Sequence, residues 1–246
     1  MVTVPIRTFH QRGQIMKITA LIPALPIALM SSMAFAQTID VKVTNLTQGL
    51  HFTPLLVSTH TDSSNVFEAG SVATAALQSM AEGGDIAPLL AASPAEAVNI
   101  GNPAQGLLAP AMSTMVSDLN TGSNDLLSIV AMVLPTNDGF VGLDSWAIPS
   151  EAGTYTVYLN AYDAGTEVND ERLNTDTGGS EDGIPGAPGG DAGTGGTGVT
   201  DSESNTSIHI HRGNLGDTSL SGGTSDLDSR IHRWLNPVAK VVVTVK

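Results

Sequence analysis

Residues 126–163 read LLSIVAMVL-PTNDG-FVGLDSWAI-PSEAG-TYTVYLNA-YD, and this stretch decides the fold. The run at 126–134 is almost wholly apolar and short, the signature of a strand buried on both faces. Residues 140–148 alternate in part. Residues 154–161 alternate cleanly, with Tyr155, Val157 and Leu159 on one face and polar residues between them. The separating segments carry Pro135, Asn137, Asp138, Gly139, Pro149 and Gly153, which are turn formers. Strands joined by such short turns pair antiparallel.

The same grammar extends outward. Residues 39–44 (IDVKVT) alternate, residues 52–60 (FTPLLVSTH) read as a strand with Pro54 near its start, and residues 238–245 (VAKVVVTV) form a closing strand. One region differs. Residues 71–82 (SVATAALQSMAE) are alanine-rich with apolar residues at helical spacing, opening at the capping residue Ser71 and stopping at Gly83 and Gly84. Residues 85–99 add a second short helix, interrupted by Pro88 and Pro94. Many short strands with glycine and proline turns define an all-β fold with minor helix, an antiparallel β-sandwich. Residues 178–198 hold ten glycines in twenty-one positions, which predicts a flexible surface loop with little to bury.

At the start, residues 16–36 (MKITALIPALPIALMSSMAFA) combine Lys17, an apolar run and Ala34-Phe35-Ala36, as a secretory signal does. Pro23 and Pro26 interrupt the run, which is too short for a stable membrane span. This predicts a leader and signal over residues 1–36, translation starting at Met16, one domain over residues 37–246, and a secreted or periplasmic location. Removing the leader leaves seven basic against 24 acidic residues. That balance argues against nucleic acid and anionic membranes as partners, and no second apolar run is long enough to span a bilayer. The chain has no cysteine, which excludes disulfides, thiol nucleophiles and thiolate metal sites.

Two acidic turns carry the chemistry. Asp138 follows the 126–134 strand, and Asp163 and Glu167 follow the 154–161 strand. Antiparallel pairing brings both turns to one end. Calcium takes six to eight oxygens from carboxylates and carbonyls, and Asp138, Asp163 and Glu167 can supply three carboxylates. Uncompensated, such a cluster repels itself. Solvated turn residues are the plainer alternative.

The segment LPTNDGFVGLDSW resembles the PSPDWFVGVDSL motif of spondin N-terminal domains, YDAGTEVND resembles that family's YDAGTDSG, and NPVAKVVVTV is similar to its PPIARVTL. The three stand in the same order. The resemblance implies a β-sandwich like that of calcium- and lipid-binding modules, with calcium held in loops at one end. By position its carboxylates fall on Asp138, Asp163 and Glu167. Glu167 departs from the usual aspartate, and Gly139 replaces the aromatic that usually follows the first aspartate.

His209 and His211 form an H-x-H, which on a strand puts both imidazoles on one side for a transition metal, with His232, His51 or His60 as a third ligand. The plainer alternative is ordinary hydrogen bonding. No G-x-S-x-G, H-E-x-x-H or P-loop is present. Trp146 and Trp234 read as core residues rather than a sugar platform. The expectation is an exported, non-enzymatic, calcium-binding spondin-type domain that meets an extracellular or envelope protein or glycan. A calcium-dependent carbohydrate-binding module and a carboxylate glycan hydrolase are the alternatives.

Overall fold

The computed structural model describes residues 36–62, 64–178, 182–190, 192–199 and 204–246. The expected leader and signal lie outside them, save for Ala36.

Among the described residues, ten strands and two helices follow in order: β1 Thr38–Asn45, β2 His51–Phe52, β3 Leu56–His60, α1 Ala75–Gly83, α2 Ala87–Ala92, β4 Val98–Gly101, β5 Ser113–Asn120, β6 Leu126–Leu134, β7 Gly139–Ala147, β8 Gly153–Asp163, β9 His209–Ile210 and β10 Ala239–Val245. The main path is β4-β3-β6-β7-β8-β10-β1-β5, with β2 on β6 and β9 on β8. Every strand pair is antiparallel, and the eight-strand path is nearly closed and barrel-like.

The expected sandwich therefore takes the form of one continuous sheet with a narrow seam. β8 pairs with β7 only where Gly139 to Gly142 face Asp163 to Asn160. From Leu159 back to Gly153 it pairs with β10 instead. That seam lies at the end of the molecule that carries Asp138 and Asp163.

β6 is buried on both faces, as its composition requires, and its period of two divides it between two cores. Leu127, Ile129, Ala131 and Val133 join the main core with Val41, Val43, Val141, Leu159, Val241 and Val243. Val130, Met132 and Leu134 face the other way, into a second core with Leu77 and Met80 of α1 and Leu89 of α2. Trp146 and Trp234 pack against the main core.

The helix is shorter than its sequence suggests. Its N-cap is Thr74, whose hydroxyl accepts the Leu77 N–H, while Ser71 bonds Glu68 instead. Gly84 ends it in the left-handed conformation, its N–H bonded to the Met80 carbonyl. The segment at 52–60 is two strands, β2 and β3, separated around Pro54.

Within the glycine-rich segment, residues 193–198 lie against residues 219–226, whereas Gly183 and Ile184 bond to Glu167, Arg172 and Asn174. The Gly193 N–H donates to the Asp226 carbonyl at 2.7 Å, and those of Thr197 and Gly198 donate to Gly223 and Thr224. The Gly196 N–H donates to Asp226 Oδ1 at 2.8 Å. A Cβ at Gly196 would lie 2.9 Å from that oxygen, so close backbone approach explains glycine there.

Candidate functional site

The β7–β8 register opposes Gly139 to Asp163. Asp138, one residue before the ladder, thereby comes beside Asp163, and the two acidic turns are neighbours as the strand pattern predicts. The Ala164 N–H donates to the Asp138 carbonyl at 3.3 Å and ties the turns together.

Both aspartates are buried, Asp138 at 0 % exposure and Asp163 at 1 %. Asp138 Oδ2 accepts the backbone N–H groups of Thr166 at 2.8 Å and Glu167 at 3.1 Å, and the Thr166 hydroxyl at 3.2 Å. Asp138 Oδ1 is buried and has no hydrogen-bond partner. Asp163 Oδ1 accepts the Gly165 N–H at 2.8 Å, and its Oδ2 accepts the Asn169 amide at 2.7 Å. Burial, and next the Asp163 charge, push the Asp138 carboxyl up to about 7, against the donors from Thr166 and Glu167.

Glu167 stands apart from this pair. Its Oε1 accepts from the Asn137 amide at 3.2 Å and from the Gly183 N–H. Burial raises its pKa, with smaller contributions from the charges of Glu82 and Asp170. Its link to Asp138 runs through the backbone N–H. Among the described residues, no group of three or more histidine, aspartate or glutamate side chains is arranged to hold a metal ion.

The sequence does not single out the amides that shape the site. Asn137 is buried; its Nδ2 also donates to Asp170 at 3.1 Å, and its Oδ1 accepts the Glu171 N–H at 3.2 Å. Asn137 and Asn169 thus pin the second turn from both ends. Their only signal is adjacency to the acids.

The histidines divide. His209 Nε2 lies 3.8 Å from Asp163 Oδ2, and its Nδ1 donates to the Ser207 carbonyl at 2.8 Å. His211 is buried beside the Trp234 ring, with its Nδ1 accepting the Gly213 N–H at 2.9 Å. Burial, then the Arg212 and His209 charges, lower its pKa to about 3, so it is neutral at physiological pH. His60 is held by Ser128 and Thr61 instead.

A general acid must reach substrate, yet both aspartates are buried. The cavity beside the second turn is lined by Gly165 to Val168 with Asn205 and Thr206, and by neither aspartate. A nearly closed antiparallel sheet with two short helices and a buried carboxylate pair at its loop end is the build of a β-rich module. The Spondin_N family model matches residues 37–172, more than half of the chain, and the chain belongs to the spondin N-terminal domain family. β10, which closes the sheet between β1 and β8, lies beyond the matched span. No curated protein matches the chain. Domains of this family are generally non-catalytic and typically extracellular and adhesion-related. Among the described residues, no helix is long and apolar enough to cross a membrane.

Proposed function

We propose that this protein is an exported, non-enzymatic, calcium-binding spondin-type domain that works by engaging an extracellular or envelope protein or glycan. The observation that carries this reading is Asp138 Oδ1, a buried carboxylate oxygen with no donor, on a side chain that burial, and next the Asp163 charge, push toward protonation. A divalent cation resolves both features: it ligates the oxygen and cancels the repulsion.

Asp138 and Asp163 are the foundation of the site, with backbone carbonyls and water completing the shell that calcium requires. Glu167 is the third carboxylate. Its Oε1 accepts from Asn137 and Gly183 and its link to Asp138 runs through the backbone N–H, so it contributes less than the aspartates. When bound, calcium pins the turns at 135–138 and 163–171 together and fixes the end of the sheet that meets the partner.

Calorimetric titration of the metal-free protein with calcium tests this. The expected result is saturable binding with a Kd on the order of 10⁻⁴–10⁻³ M, as in extracellular modules, and a raised Tm. No heat and no change in Tm at saturating calcium overturn it.

A further inference from the structure

Away from the acidic turns, a cavity of about 180 Å³ lies between β3 and the two helices. Its floor follows from strand periodicity. Leu56, Ser58 and His60 alternate with Val57, which faces the main core, so the three share the helix side of β3. A buried position facing a helix layer ordinarily carries a large apolar residue. Here Ser58 takes it, at 2 % exposure. Leu56, Leu89 and Ala97 belong to the apolar part of the wall, with Val66, Ala76 and Ala92.

The polar part is distinct. His60 lines the cavity but is already satisfied: its Nδ1 donates to the Thr61 carbonyl at 2.8 Å, which leaves Nε2 to accept the Ser128 hydroxyl at 2.8 Å. Ser64 is not: its Oγ is buried, has no hydrogen-bond partner and belongs to the wall. Ser58 and Asn65 flank it. Among the described residues, no aspartate, glutamate, lysine or arginine lines the cavity.

We propose that this cavity is a binding site for a small uncharged amphiphile, a molecule with a ring-sized or short-chain apolar body and one hydroxyl or carbonyl group. Size sets the body: apolar cavities of roughly 150 Å³ hold a molecule as large as benzene. The hydroxyls of Ser58 and Ser64 set the head group, since each can donate or accept. The missing countercharge sets the specificity, because an ion buried there keeps its desolvation cost uncompensated. The site is independent of calcium and of the acidic turns.

Benzyl alcohol, toluene and benzoate are the probes, titrated into the purified protein and followed by backbone amide shifts. Benzyl alcohol is expected to shift the Ser58, Leu89 and Ala97 amides saturably. Benzoate is expected to bind at least about tenfold more weakly for want of a countercharge. Toluene, which lacks the hydroxyl, should bind more weakly than the alcohol, and Ser58→Ala should narrow that gap. Leu89→Trp, which fills the cavity, should abolish the shifts while the protein keeps its circular dichroism. If that variant does not fold, Ala97→Leu fills the space from the other wall with the same readout. Absence of saturable shifts up to the solubility of benzyl alcohol overturns the proposal. So does benzoate binding equal to the alcohol, or binding that survives in a folded filled variant.

Discussion

Gly139 is the register partner of Asp163, and this one pairing sets Asp138 and Asp163 side by side in the interior. Two carboxylates forced together by a sheet register cannot spread apart as surface residues would. The fold therefore holds a charge conflict that the surrounding donors offset in part and that a proton or a cation relieves.

That conflict predicts a pH dependence. The folded-state pKa of Asp138 is about 7, against an ordinary 3.8. Between these values the folded state holds a proton that the unfolded state has released. Without calcium, the stability that this one proton contributes is fully present below about pH 4, falls as pH rises through 7, and levels off above it, a loss on the order of 4 kcal/mol. Urea unfolding of the metal-free protein across this range checks the slope. Asp138→Asn should flatten it, and saturating calcium should offset the loss in the wild type alone.

A second prediction separates the carboxylates. Asp163 lies beside Asp138 in the interior, its oxygens accepting the Gly165 N–H and the Asn169 amide, whereas Glu167 reaches Asp138 only through its backbone N–H and its carboxylate accepts from Asn137 and Gly183. Asp163→Asn should therefore abolish the calcium-dependent rise in Tm, and Glu167→Gln should only weaken it, by roughly tenfold in Kd at most. Equal losses in the two variants would mean that Glu167 turns fully onto the ion. Calorimetry on both variants, beside melting curves without calcium, distinguishes the outcomes.

The strands that repeat a clear period were legible: β1, β6, β7, β8 and β10 lie where alternation or a continuous apolar run puts them. β5 was not, because its alternation breaks at Asp118, where φ is +54° and the Asp118 N–H leaves the ladder pattern to bond Asp40 Oδ1. β4 is short and half-exposed, with no period to read. The pairing of Asp138 with Asp163 follows from hairpin logic alone. The direction of Glu167 does not, since its partner Gly183 lies sixteen residues on, in a loop whose path no local pattern dictates. Spacing shows which carboxylates share an end of a sheet, whereas their hydrogen bonds decide which of them face each other.

Gly139 gives a third prediction. A Cβ there would lie 2.6 Å from Thr136 Oγ1 and 3.0 Å from His211 Cδ2. Neither neighbour is free to yield: the Thr136 hydroxyl donates to the Val133 carbonyl and accepts the Gly139 N–H, and His211 is buried against Trp234. Gly139→Ala should cost about 1–3 kcal/mol by overpacking, read from urea midpoints. It should also weaken calcium binding, because the shift falls next to Asp138. The aromatic usual at this position in related motifs has no room while His211 occupies the space.

The last prediction concerns the 193–198 part of the glycine-rich segment, where the buried Asp226 meets both backbone and side-chain partners. Asp226 is fully buried; its Oδ1 accepts the Gly196 N–H and its Oδ2 the Leu173 N–H, both at 2.8 Å. Its backbone holds the same region, with its N–H on the Glu171 carbonyl and its carbonyl on the Gly193 N–H. Asp226→Ala keeps the backbone bonds but leaves two N–H donors without acceptors, at about 1–3 kcal/mol each. Asp226→Asn retains one acceptor oxygen and should lose roughly half as much. Hydrogen exchange provides the local readout: the amides of Leu173 and Gly196 should exchange faster in the alanine variant, with the Val130 and Val241 amides changed only as far as global stability falls. If exchange at Gly196 is unchanged while the midpoint drops, Asp226 acts on the core and does not hold the segment. Since Glu171 and Leu173 follow directly on the second acidic turn, loosening them should also weaken calcium binding, so the same variant reports whether the loop and the ion site are mechanically one unit.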